Sequence, residues 1–217
     1  MRGLVLGLAS LTVVACGSDA PPSETKAAAP APTAEKQAES CTYTLQEAKP
    51  GWTAYKTTEK APVSGGFAST TLSPTKPAPS VVGALSGVTM TIDPVSVSSG
   101  NEGRDHTLRE KYFGMFTPQT EFTAGVVAVK GDDQNGTVDL NIGMNGISKT
   151  VAFAYEVAAD GTLTANASIE MMDFGLKAAF DSIHEACKLL HTGSDGVSKT
   201  WTDVALTVTA KIAKECA

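Results

Sequence analysis

The sequence predicts a mainly β protein of antiparallel strands with one or two short covering helices. Three observations carry that prediction. Through most of the C-terminal half, apolar and polar residues alternate with a period of two, the pattern of strands with one dry and one wet face. Turn residues, Gly146 and the pair Asp160-Gly161, stand between these runs. Two stretches break the rhythm, 101–116 and 174–190, and there the apolar residues recur at helical offsets instead.

Residues 1–15 read as a leader. Arg2 precedes the apolar run LVLGLASLTVVA, which stops at Cys16. That is the layout of a secretory signal peptide, and it is short for a bilayer span. Residues 16–40 follow as a tether: the part from 17 to 40 holds seven Ala and four Pro, with no aromatic residue to seed a core. The folded domain is therefore 41–217. It carries 14 Lys and Arg against 19 Asp and Glu. A basic groove for nucleic acid is missing, and the acidity argues against electrostatic adhesion to anionic lipid.

Within the domain, 42–48, 52–58 and 66–72 are the first strand candidates. In 88–93, Val88, Met90 and Ile92 share one face. The run 122–129 is apolar on both faces, which predicts a helix or loop packed outside it. Four regular strands follow. Their dry faces are Val138, Leu140, Ile142 and Met144; then Val151, Phe153, Tyr155 and Val157; then Leu163, Ala165, Ala167, Ile169 and Met171; and last Val204, Leu206, Val208, Ala210 and Ile212. About eight or nine strands can make a sandwich or a closed barrel, and closure removes both edges. An eight-stranded barrel can hold a small ligand along its axis. The small side chains of Ala165, Ala167 and Ala210 either leave a cavity or permit tight packing. The candidate cavity lining is Trp52, Phe122, Leu140, Phe153, Tyr155, Ala165, Ala167 and Leu206.

Three cysteines remain after Cys16: Cys41, Cys187 and Cys216. In an exported chain they make one pair and one free thiol. Cys41 with Cys216 would clip the first strand to the last, and Cys187 with Cys216 is the alternative; spacing does not choose. None lies in a CxxC motif.

The stretch NEGRDHTLREKYFGMF, 101–116, gathers six charged residues and three aromatics. Leu108, Tyr112 and either Met115 or Phe116 fall at helical offsets suited to covering a barrel opening. Arg104 and Arg109 are the only arginines of the domain. Their neighbours Asp105 and Glu110 do not share a helix face with them, so partners are expected across the fold. The mouth or lid candidates are Arg104, Asp105, His106, Leu108, Arg109, Tyr112, Phe113 and Phe116. Asp105, His106 and Glu110 offer an acid–base alternative, which requires a poised group in a cleft.

The second helical stretch, 174–190, repeats Leu176, Ala179, Phe180, Ile183, Cys187 and Leu190. His184, Cys187 and His191 can share one helix face in a metal-like pattern, but a polar-flanked helix with Cys187 turned inward is the simpler reading, and no metal is assigned. There is no GxGxxG, P-loop, GxSxG or HExxH motif.

Five segments, in this order, carry a resemblance: GWTAYKTTEKAPVSGGF at 51–67, the stretch at 101–116, NGISKTVAFAYEV at 145–157, MMDFGL at 171–176 and WTDVALTVTAKI at 201–212. Together they resemble the YceI-like, polyisoprenoid-binding family over nearly all of 42–213. The resemblance implies an extended lipocalin-like antiparallel β-barrel of about eight strands. Its interior would hold a long isoprenoid, such as a polyprenyl lipid or quinone, with no metal and no catalytic constellation. The chain departs from that pattern at Thr107, where the family places a His, at Asn145, where another His is common, and over 184–200, which looks like an extra loop.

Val13, Val14, Ala15 and Cys16 resemble a bacterial lipobox, which implies lipidation of Cys16. Gly17 after the Cys, by resemblance to Gram-negative lipoproteins, implies the outer membrane, facing the periplasm. The expected protein is a lipid-anchored envelope component that binds, carries or stores a long apolar lipid without catalysis. It touches the membrane through its anchor only, and a homodimer is left open. The alternatives are a structural or protein-interaction module with a filled core, and an envelope enzyme built on Asp105, His106 and Glu110.

Overall fold

The computed structural model describes residues 40–118 and 120–217. The expected leader, Cys16 and all of the tether but Ser40 lie outside the described residues. The rest is one ten-stranded antiparallel sheet, curled into a barrel. Its strands are β1 (Cys41–Lys56), β2 (Ala61–Phe67), β3 (Thr70–Leu72), β4 (Thr89–Ile92), β5 (Val97–Ser98), β6 (Phe122–Gly131), β7 (Asn135–Met144), β8 (Ile147–Val157), β9 (Thr162–Glu170) and β10 (Asp203–Cys216). The helices are α1 (Val81–Leu85), α2 (Glu102–Lys111) and α3 (Lys177–Ala186). The spatial order is β3-β4-β6-β7-β8-β9-β10-β1-β2-β5.

The two ends of that order meet through one bent run. β2 pairs with β1, β3 pairs with β4, and only Ala68 and Ser69 separate them. At the bend Ala68 N–H donates to Ser96 O at 3.0 Å, and Asp93 N–H donates to Ser69 O at 3.1 Å. Beyond β3 the chain returns to β1, where Tyr43 and Ala78 exchange backbone hydrogen bonds of 2.8 and 2.9 Å. The exposed edges that a curled sheet would present are thereby partly satisfied.

The regular C-terminal strands follow their alternation. Val138, Leu140 and Ile142 on β7, Phe153 and Tyr155 on β8, and Leu163, Ala165 and Ile169 on β9 are buried. Asn145 and Gly146 both have positive φ, 50° and 73°, as a two-residue hairpin turn between β7 and β8 requires. Cys41 and Cys216, paired across β1 and β10, form a disulfide; Cys187 is free.

Three sequence expectations are corrected. The separate strands at 42–48 and 52–58 are one strand, β1. Pro50, which has no amide hydrogen, is accommodated where pairing to β2 has yet to begin, at Gly51. The apolar run in β6 is not covered on its outside. The β6–β7 register slips between Val126 and Ala128, so Val127 is a bulge residue and is 58 % exposed. The helix expected over 174–190 is broken at both ends. Gly175, with φ 65°, closes a 3₁₀ turn at Met171–Phe174, α3 stops at Ala186, and a second 3₁₀ turn covers Lys188–His191.

Candidate functional site

The barrel is solid at one end and hollow at the other. Along β10 the inward residues Ile212 and Ala210 are buried, but Val208, Leu206 and Val204 are only partly covered. The solid end is stoppered by α1. Ser80 caps that helix, accepting from Gly83 N–H at 3.1 Å, while Asp133 Oδ1 accepts from Val81 N–H at 2.8 Å. Val81 and Leu85 then fill the barrel axis. Only a small pocket of about 60 Å³ remains there.

Toward the other end a cavity of about 620 Å³ opens. Trp52, Phe122, Leu140, Phe153, Ile169 and Leu206 line it from six different strands. The Trp52 indole lies across Gly65, and its Nε1 is buried with no hydrogen-bond partner. The ionisable side chains on the wall include Lys56, Arg104 and His191, and no Asp or Glu belongs to the lining. The walls are therefore apolar, with what charge there is basic, in a chain of net charge -6.

α2 covers the hollow end. Asn101 caps it by accepting from Arg104 N–H at 2.9 Å. Ser99 then joins two charged side chains to the preceding loop. Its N–H and Oγ–H both donate to Asp105 Oδ1, while Arg104 donates through Nε to Ser99 Oγ at 2.7 Å and through a terminal nitrogen to Ser99 O at 2.8 Å. Past the helix, Tyr112, Phe113 and Phe116 stack edge-on with centroids 5.1 to 5.7 Å apart, and Phe113 and Phe116 reach Phe122. Tyr112 O–H donates to Met171 Sδ at 2.9 Å, and burial pushes its pKa above the usual phenol range.

The rim is completed by the excursion 188–201. Thr57 N–H donates to Lys199 O at 2.9 Å and Trp201 N–H to Tyr55 O at 3.1 Å, which lays the returning chain beside the end of β1. Thr200 Oγ1 bonds Nδ1 of both His184 and His191, at 2.8 and 2.7 Å. A hydroxyl has one proton, so at least one imidazole donates. Burial, then Lys56 and His184, holds the His191 pKa below the usual histidine value. The Cys187 thiol is pushed up by burial, against the pull of Lys56. The cavity reaches the surface where exposed residues join its lining, at Asn101 and Gly103 on one side and at Leu190 on the other.

The residues expected at the site divide accordingly. Trp52, Phe122, Leu140, Phe153 and Leu206 line the cavity. Tyr155 does not: it is buried toward the solid end, its hydroxyl donating to Asp132 O at 2.7 Å. Ala165 borders the small pocket, and Ala167 is partly buried and lines neither. Of the lid residues, Arg104, Leu108, Tyr112, Phe113 and Phe116 face the cavity. Asp105 is turned to Ser99, His106 points to solvent, and Arg109 has no ion pair among the described residues. The arginine partner expected across the fold is thus local for Arg104, since Ser99 is five residues away.

The acid–base alternative loses its geometry, because Asp105 is buried in the cap while His106 and Glu110 are exposed outside the cavity. Among the described residues no three His, Cys, Asp or Glu side chains gather to hold a metal. The rim residues Lys56, Thr200 and Trp201 escaped sequence reasoning, and His191 entered it only in the metal-like pattern with His184 and Cys187. Their one signal was the unusual insertion at 184–200, which brings distant positions together.

A family model for the YceI-like domain matches residues 43–211. No curated protein matches the chain in sequence. Among solved structures, a polyisoprenoid binding domain from Saccharophagus degradans, implicated in plant cell wall breakdown, is similar at 13% identity with a TM-score of 0.54. That match covers 81% of this chain and 98% of the other. BcnA of Burkholderia cenocepacia is similar at 15% identity with a TM-score of 0.51, covering 76% of this chain and 96% of the other. At these identities the likeness concerns the fold.

Proposed function

The chain belongs to the YceI-like domain family, and on that premise we propose that it binds and carries one long apolar lipid, of isoprenoid or quinone type, in the cell envelope. The observation that carries this reading is the cavity of about 620 Å³ with its apolar wall. Its size falls within the roughly 300–1,000 Å³ of ligand sites in general. Each methylene taken from water into such a wall contributes about 0.8 kcal/mol, so a long tail binds by buried area and needs few polar contacts. A core left hollow at one end and filled at the other supports a container over a purely structural module. The Saccharophagus degradans domain is itself a polyisoprenoid binding domain, which favours that ligand class here. The lack of convergence among Asp105, His106 and Glu110 favours binding without catalysis.

The anchor belongs to the same proposal: Cys16 carries lipid and holds the domain at the outer membrane, facing the periplasm. The lipobox-like residues at 13–16 and the Ala- and Pro-rich tether support it.

The test is native mass spectrometry of the full chain extracted in mild detergent. An added mass matching an apolar lipid is expected on wild type. Leu206→Trp, which fills the cavity from β10, should lose that mass while the thermal transition persists. A wild-type chain that carries no apolar adduct overturns the reading.

A further inference from the structure

Leu189 is 90 % exposed and Leu190 70 % exposed. They stand side by side on the 3₁₀ turn Lys188–His191, and Leu190 also belongs to the cavity wall. This turn is held in shape rather than hanging free. His191 N–H donates to Cys187 O at 2.9 Å, Lys199 N–H to His191 O at 3.1 Å, and Ser198 Oγ to Lys188 O at 2.9 Å. Lys56 Nζ, from β1, donates to Leu190 O at 3.3 Å. Two leucines are therefore presented to water on a braced support, which carries a solvation cost unless something apolar meets them.

The surroundings identify what meets them. Lys188 flanks the pair, and Lys199 stands over the ring of Trp201 with Nζ 5.1 Å from its centroid. Apolar tips between lysines, with a tryptophan at the base, match the depth profile of a bilayer interface. Leucine enters the acyl layer, Lys stems snorkel and the indole rests among head groups. Glu185, 3.7 Å from Lys188, and Asp195 keep the excursion near electrical balance, so apolar insertion rather than attraction to anionic lipid supplies the contact. Among the described residues no helix is long and apolar enough to cross a membrane.

We propose that the Leu189–Leu190 tip is a docking surface for a lipid bilayer, through which apolar cargo passes between the membrane and the cavity. The proposal rests on the cavity reading above, because Leu190 then joins bilayer and interior without an aqueous gap. A cargo with almost no solubility in water needs such a path.

The test uses the full chain as purified from membranes, on phosphatidylcholine vesicles. Trp52→Phe leaves Trp201 as the single tryptophan, since the chain has two. Brominated phosphatidylcholine should quench Trp201, and Leu189→Asp should largely abolish that quenching. Uptake of a pyrene-labelled isoprenoid alcohol from the vesicles should slow by at least about tenfold in Leu189→Asp. Loading of the same probe from detergent should stay at the wild-type level, because Leu189 is outside the cavity wall. Equal quenching in the two chains overturns the proposal. So does equal uptake, or a dimer or bound protein partner that Leu189→Asp releases with quenching unchanged. Quenching needs no cargo, so a chain that never loads the probe defeats the cavity reading while docking is still decided.

Discussion

Trp52 and Gly65 face each other across the β1–β2 pairing, and the indole occupies the space a side chain at 65 would need. A Cβ there would stand 2.5 Å from Trp52 Cζ2 and 2.8 Å from Ser98 O. The indole can swing away, but the carbonyl belongs to the backbone of β5 and cannot. Gly65→Ala is therefore expected to cost about 1–3 kcal/mol and to push the ring into the cavity. Denaturant midpoints and the cargo mass should fall together. Trp52→Phe removes a buried N–H that has no partner, so it should stay within about 1 kcal/mol of wild type.

The two arginines of the lid should behave differently. Arg104→Ala breaks two hydrogen bonds to Ser99 and leaves the Asp105 cap without its neighbour, for an expected loss of about 1–3 kcal/mol. Arg109→Ala, with no ion pair among the described residues, should fall within about 0.5 kcal/mol of wild type. Thermal melts of the two variants decide it, and equal losses would mean that Ser99 is not the anchor.

Acid should loosen the rim. The His191 pKa is held below 6.5, first by burial and then by Lys56 and His184. Between its folded value and 6.5 the unfolded chain binds more protons than the native one, so stability rises with pH there. The contribution is complete above 6.5 and is lost as pH falls through the folded value. Wild type should therefore lose more stability on acidification than His191→Asn. Parallel pH curves would assign the effect elsewhere.

The disulfide should matter to stability and not to loading. Cys41 and Cys216 close a loop of 175 residues, and replacing both by Ser should cost about 2–5 kcal/mol. Both lie at the start of β1 and the end of β10, away from the cavity wall. Urea unfolding should shift while the native adduct remains in mass spectrometry.

Much of the barrel was legible because its later strands keep strict alternation. From Val138 to Ile169 most inward residues are announced by polar neighbours, Phe153 between Ala152 and Ala154 by its size instead, and the hairpin at Asn145-Gly146 by its turn chemistry. What escaped has a local cause. In β6 the bulge at Val127 offsets the alternation by one residue, so one strand looks apolar on both faces. In β1 a proline and a glycine read as a break, although pairing on one side continues through them. The cavity wall was half legible: Phe153 and Leu206 declare themselves inward, but inward does not say hollow. Tyr155 and Ala165 share that pattern and end in the filled half, since α1, not their own strands, decides which half is filled. The rim was invisible because Lys56 and Thr200 meet only through tertiary contact.

β1 carries the chain along the whole barrel, from Cys41 beside the α1 stopper to Lys56 at the mouth. Its 16 residues span about 50 Å at the usual rise of a strand. Anything that tethers the chain upstream of Cys41 therefore holds the container by its base. The direction of this one strand thus sets the chain's point of entry and the hollow mouth at opposite ends of the barrel.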